Sequence, residues 1–124
     1  MGEELPEEIL ATIDEKIKDI IVELNTLFFI KKTWFSCQGH PGTPAVPYID
    51  IEFDVRPEYV RIIEKFRKKL LKIEGSVGRE FLLKGIRYHY AYDWRTKEEI
   101  TKGWGEFRVV IEDFKKIPPP EYSN

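Results

Sequence analysis

Hydrophobic positions along the chain change their period several times, and each change predicts an element. Between Leu5 and Asn25, residues Ile9, Leu10, Ile13, Ile17, Ile20, Ile21 and Leu24 recur at three- and four-residue spacing, the signature of an amphipathic helix over 5–25. Pro6 suits a first-turn position, Glu7 and Glu8 suit the positive end of the helix dipole, and Asn25 suits a terminator. Thr26 to Ser36 is rich in Phe, Ile, Thr and Trp and predicts a first strand. Two glycines and three prolines make Gln38 to Pro47 a long connecting loop. Tyr48 to Val55 then alternates strictly, with Ile49, Ile51, Phe53 and Val55 on one face and Tyr48, Asp50, Glu52 and Asp54 on the other. This predicts a second strand, paired with the first as an antiparallel hairpin.

A second helix is expected from Pro57 to about Ile73, ending at Gly75. Val60, Ile62, Ile63, Phe66, Leu70, Leu71 and Ile73 fall on one side of it, and Arg61, Lys65, Lys68, Lys69 and Lys72 gather on the other. Residues 79–95 predict one or two strands, with Tyr88, Tyr90, Tyr92 and Trp94 on one face and Arg87, His89, Ala91, Asp93 and Arg95 on the other. After a turn of helix near Lys97 to Thr101 and the interruption Gly103-Trp104-Gly105, the alternation of Phe107, Val109 and Ile111 predicts a last strand over Glu106 to Phe114. The expected fold is therefore α+β, a mainly antiparallel sheet of four to five strands with two amphipathic helices on one face. Residues 1–117 are expected to form a single domain, with 118–124, opened by Pro118-Pro119-Pro120, a flexible tail.

Composition narrows the setting. A chain of 124 residues with 42% hydrophobic content can bury a core without metals or disulfides. Charged residues make up 34%, above the usual roughly 25%, yet they nearly cancel to −2, so global charge predicts no nucleic-acid or anionic-membrane partner. The excess of Glu and Lys, with a single glutamine, Gln38, and one Cys, resembles proteins from hot environments. One cysteine closes no intrachain disulfide, and Met1-Gly2-Glu3-Glu4 lacks the basic start of a signal peptide, so the expected location is cytoplasmic. No uninterrupted apolar run exceeds five residues, against the roughly 20 that span a bilayer, so no membrane partner is expected.

Candidate chemistry concentrates in Ser36-Cys37-Gln38-Gly39-His40. Cys37 and His40 have the spacing of half a zinc site, but a closed site needs four ligands and His89 is the only other imidazole. Zn at Cys37 and His40 would need carboxylates such as Asp50, Glu52 or Asp93, or an open position. The same Cys37, with His40 or His89 as base, could act in catalysis. Ser36, Gly39, Asp50 and Glu52 are candidate ligand-binding residues. The competing reading makes Cys37 a small buried thiol and the turn purely structural. The Tyr88 to Trp94 stripe could stack bases and Lys65, Lys68 and Lys69 could contact RNA phosphates, against the simpler readings of core packing and a solvated helix face. No P-loop or dinucleotide glycine fingerprint occurs.

Ser36-Cys37-Gln38-Gly39-His40-Pro41, followed by Pro47-Tyr48-Ile49 with Asn25 upstream, resembles small uncharacterised prokaryotic proteins with an S-C-x-G-H loop after a helix–strand unit. Over residues 25–40, Asn25, Thr33 and Ser36-Cys37-x-Gly39 are also similar to the S-S-C-S-G turn of the tRNA wybutosine-synthesis methyltransferase family, differing at Phe35 and His40. That resemblance implies an α+β fold, an RNA substrate and S-adenosylmethionine. Three functions follow as expectations: a small-ligand or metal-binding domain using the Cys37–His40 loop, an RNA-modifying enzyme using the same turn, and a homodimeric interaction module.

Overall fold

The computed structural model describes residues 15–78 and 86–120. Helix α1 (Lys18–Leu24) follows a short 3-10 turn, Glu15–Ile17. Strands β1 (Ile30–Cys37) and β2 (Tyr48–Phe53) come next. A second 3-10 turn, Pro57–Tyr59, leads into α2 (Val60–Leu71), followed by β3 (Arg87–Ala91) and α3 (Lys97–Lys115). The strands form one antiparallel sheet in the order β1-β2-β3. Ile49, Ile51 and Phe53 bring one face of β2 into a core shared with Ile20, Ile21 and Leu24 of α1, Ile63, Phe66 and Leu70 of α2, and Phe107, Ile111 and Phe114 of α3. The α+β class and the antiparallel sheet are as expected from the pattern, but the described residues hold three strands and three helices rather than four or five strands and two helices.

The main difference lies at the C-terminal end. Glu106 to Phe114 is helical, not a strand, because the residues that bury are Ile100, Gly103, Trp104, Phe107, Ile111 and Phe114, at helical spacing, while Val109 is 68% exposed. The helix start is encoded by Thr96-Lys97-Glu98-Glu99: the Thr96 hydroxyl accepts from the Glu99 N–H at 3.1 Å, as in a capping box. Gly103, read as an interruption, is a point of close approach instead. The Trp94 indole lies against it, so that a Cβ at Gly103 would overlap the ring, and a Cβ at Gly75 (φ +91°) would meet Trp94 Nε1 at 2.6 Å. Trp94 is held in that slot by stacking on Tyr92 at 4.3 Å and by donating from Nε1 to the Glu74 carbonyl at 2.7 Å.

At the other end of the chain, the helix expected over 5–25 is described from Glu15 onward, and its earlier residues lie outside the described part. The first strand begins at Ile30, not Thr26, because the backbone of 25–30 closes turns onto α1. Buried Asn25 joins the two elements, donating to the Ile21 carbonyl at 2.8 Å and to Thr33 Oγ1 at 3.0 Å. Phe29, fully buried between them, meets Phe53, Phe66 and Phe114. The Tyr90, Tyr92 and Trp94 side of the aromatic stripe is likewise buried by the chain itself, so it presents no surface to a base or a second copy. The strand expected over 79–85 lies outside the described residues.

Two helix glycines should respond oppositely to the same substitution. Gly103→Ala is expected to destabilise the protein by on the order of 2–4 kcal/mol, since the methyl group displaces the Trp94 ring. Gly105→Ala, with open space around its Cβ, is expected to stabilise it by about 0.5–1 kcal/mol. Urea unfolding of the two variants measures both; equal effects would contradict the wedge.

Candidate functional site

The face of the sheet opposite the core carries a connected set of polar and aromatic side chains that no described element covers. Its geometry originates in β1. Thr33 pairs with Ile51 and Ser36 with Ile49, so Trp34 and Phe35 together stand opposite the single residue Asp50. This is a β-bulge, and it removes the alternation that would have sent one of the two aromatics into the core. A second irregularity between Ile30 and Lys32 lets Lys31 reach the same region. Phe35 remains 61% exposed.

Trp34 links the three strands across this face. Its indole N–H donates to Glu52 Oε1 at 2.9 Å, while Lys32 Nζ and Arg87 Cζ lie 3.7 and 4.6 Å from its ring centroid. Arg87 also lies 5.8 Å from the Phe35 ring. Such contacts between a guanidinium and an aromatic ring orient the charge as well as stabilising it. Below them sits Asp50, only 7% exposed. Arg87 Nη2 donates to its Oδ2 at 3.3 Å, and His89 Nδ1 lies 2.5 Å from its Oδ1. A carboxylate so buried is tolerable because both oxygens are engaged by cationic or hydrogen-bonding groups. His89 in turn stacks on Tyr48, ring centroids 4.9 Å apart. Arg87 Nε is buried with no hydrogen-bond partner among the described residues.

Glu52 shows how the face is balanced electrostatically. Burial pushes its carboxyl up, but hydrogen bonds from Trp34 and Lys31, with the charges of Lys31 and Arg87, outweigh that and leave it below the usual carboxylate range. Its oxygens are shared, one to Trp34 and the other 3.2 Å from Lys31 Nζ.

The residues singled out in the sequence divide between this face and the loop beside it. Asp50, Glu52 and His89 come together on the open face. Cys37 ends β1 opposite Tyr48, half-buried, and its sulfur accepts from the Gly39 N–H at 3.4 Å. Ser36 pairs with Ile49, one step toward the core side. Gly39 (φ +88°) is buried, and a Cβ there would meet Pro47 at 2.5 Å. The loop is also anchored from behind, where Trp104 of α3 donates to the Gln38 carbonyl at 2.8 Å. His40 is exposed in a turn closed by its backbone N–H to Ala45 and by Thr43. Among the described residues no group of three or more His, Cys, Asp or Glu side chains could hold a metal ion. Lys65, Lys68 and Lys69 lie on α2, away from this face, and Lys69 is paired with Asp113.

Trp34, Phe35 and Arg87 are the site residues that the pattern did not single out. The available signal was negative: Lys31 to Ser36 lacks a clean period of two, as a bulged edge strand must. The chain matches no family model, and no curated protein or solved structure matches it.

The depressed Glu52 carboxyl predicts a pH dependence with a defined sign. Ionised Glu52 stabilises the fold above its ordinary value of 4.5, and that contribution is lost as pH falls through the lower folded value. Denaturation of the protein and of Glu52→Gln, stepped from about pH 6 to about pH 3, should show a steeper loss of stability in the unmodified protein. The Trp34 indole N–H resonance should move over the same range. Parallel curves for the two proteins would remove Glu52 from this account.

Proposed function

We propose that the chain is a binding protein for a small, planar, negatively charged molecule of the nucleotide class, and that its site is the open face of the sheet beside the Cys37–His40 loop. The observation that carries this reading is the exposed aromatic pair Trp34 and Phe35 set against Arg87 and Lys32. The Phe35 ring supplies a stacking surface, and the cations held over Trp34 supply charge for a phosphate or carboxylate. Asp50 acts beneath them as a positioning group: by engaging Arg87 and His89 it fixes where their remaining donors point. Tyr48 and Cys37 border the site on the loop side. A metal held by Cys37 and His40 is a weaker reading, since these two donors fall short of the three or four protein ligands that zinc sites use.

The hydrogen bond between Asp50 and His89 favours a second reading, in which His89 moves a proton for a ligand bound there. A carboxylate that orients an imidazole is the usual arrangement of a general base. On this reading the RNA-modifying alternative and its S-adenosylmethionine would use the open face rather than the turn.

Titration with adenosine and guanosine monophosphates, followed by the Trp34 indole resonance, tests the binding proposal. Phe35→Ala is expected to weaken binding roughly 5- to 100-fold, the effect of losing one stacking ring. Its melting temperature should change little, because the side chain is mostly exposed. No movement of the Trp34 resonance at millimolar nucleotide, or unchanged affinity in Phe35→Ala, would refute it. For the second reading, His89→Gln should leave nucleotide affinity within a few-fold while removing any turnover; equal loss of both would reduce His89 to a binding group.

A further inference from the structure

A separate surface, on α2, carries an arrangement that the open sheet face does not explain. Over 60–72 the chain places six basic residues, Arg61, Lys65, Arg67, Lys68, Lys69 and Lys72, against the single acid Glu64, in a protein whose net charge is −2. Two of the six are neutralised locally, Arg67 by Glu64 and Lys69 by Asp113. The other four, Arg61, Lys65, Lys68 and Lys72, form no salt bridge among the described residues. They are spaced by four, three and four residues, which aligns them on one side of the helix as a row about 16 Å long with a cation every ~5 Å. Beside the row runs an open groove of about 630 Å³ whose apolar floor is Ile62 and Ile117.

We infer that this row is a docking surface for the phosphate backbone of a nucleic-acid duplex. Charge complementarity supports a polyanion, because a line of four cations that form no salt bridge among the described residues concentrates positive potential on one side of a chain whose remaining charges sum to −6 (−2 less the four). Residue type then selects among polyanions. Three of the four cations are lysines, which are depleted in protein–protein interfaces but serve well as point charges for phosphate. The row holds no exposed aromatic on which an unpaired base could stack, and Phe66 of the same helix is fully buried, so a single strand has little to grip. A duplex asks only for charge at regular intervals along a rigid element.

Fluorescence anisotropy with a roughly 20-base-pair duplex, as RNA and as DNA, tests this directly. With four phosphate contacts the log–log salt slope should be near −3.6, so affinity should fall roughly 150-fold between about 50 and about 200 mM salt. Lys65→Gln and Lys68→Gln should each reduce the slope by about 1. Lys97→Gln, on α3, should leave it unchanged. Phe35→Ala should also leave duplex binding intact, which separates failure here from failure of the open-face proposal. The inference is overturned by the absence of duplex binding at the lowest salt, by equal losses in the Lys97 control, or by tighter binding to single strands, to an acidic peptide or to anionic lipid vesicles.

Discussion

Much of this structure depends on where one indole ring is allowed to lie. Trp94 leaves the end of the β3 segment and enters a slot whose walls are the backbones of Gly75 and Gly103, with Tyr92 stacked on it and the Glu74 carbonyl accepting its N–H. That contact brings the turn after α2, the continuation of β3 and the middle of α3 to one point. Helix α3 can then reach back through Trp104 to the Gln38 carbonyl and hold the loop between β1 and β2. The loop therefore owes its shape to a helix residue 66 positions further along the chain rather than to its own glycines alone.

On the far side of the sheet the organising group is a buried acid. Asp50 has almost no exposure, yet it faces away from the apolar core, so its cost of desolvation is met by Arg87 and His89 on the neighbouring strand. Those two residues are in turn stacked against Trp34 and Tyr48. The bulge in β1 is what makes this possible, because it turns two consecutive aromatics toward the same face. It also serves β1 as an edge strand: bulges and the exposed Lys31 and Lys32 discourage pairing with another chain.

Charge is separated over the molecule despite its small net value. On the open face cations and carboxylates interlock, Lys31 with Glu52 and Arg87 with Asp50, leaving a mixed and orienting surface. Along α2 the cations outnumber their local partners and leave a row of one sign. The first arrangement favours a ligand recognised by shape and orientation, the second one recognised by charge density.

Local elements with an unambiguous period follow from the order of the residues alone. The alternation of Tyr48 to Phe53, the helical spacing of Ile63, Phe66 and Leu70, and the antiparallel β1–β2 hairpin were legible because each depends on neighbours close in the chain. The candidate site was half legible: Asp50, Glu52 and His89 stood out by residue type, while Trp34, Phe35 and Arg87 did not. A bulge is a property of two paired strands, and no period within β1 alone reveals it. The second half of α3, Glu106 to Phe114, carries a strand-like pattern for a related reason. Gly103-Trp104-Gly105 resembles a break, and Phe107, Val109 and Ile111 alternate by coincidence, although the Thr96 to Glu99 cap was present in the letters. What made a glycine useful inside that helix was Trp94, which sits nine residues away in sequence and touches it only in the fold. Between two locally acceptable periods the choice comes from packing, because burial of Phe107, Ile111 and Phe114 in the shared core stabilises the helix and leaves Val109 in water.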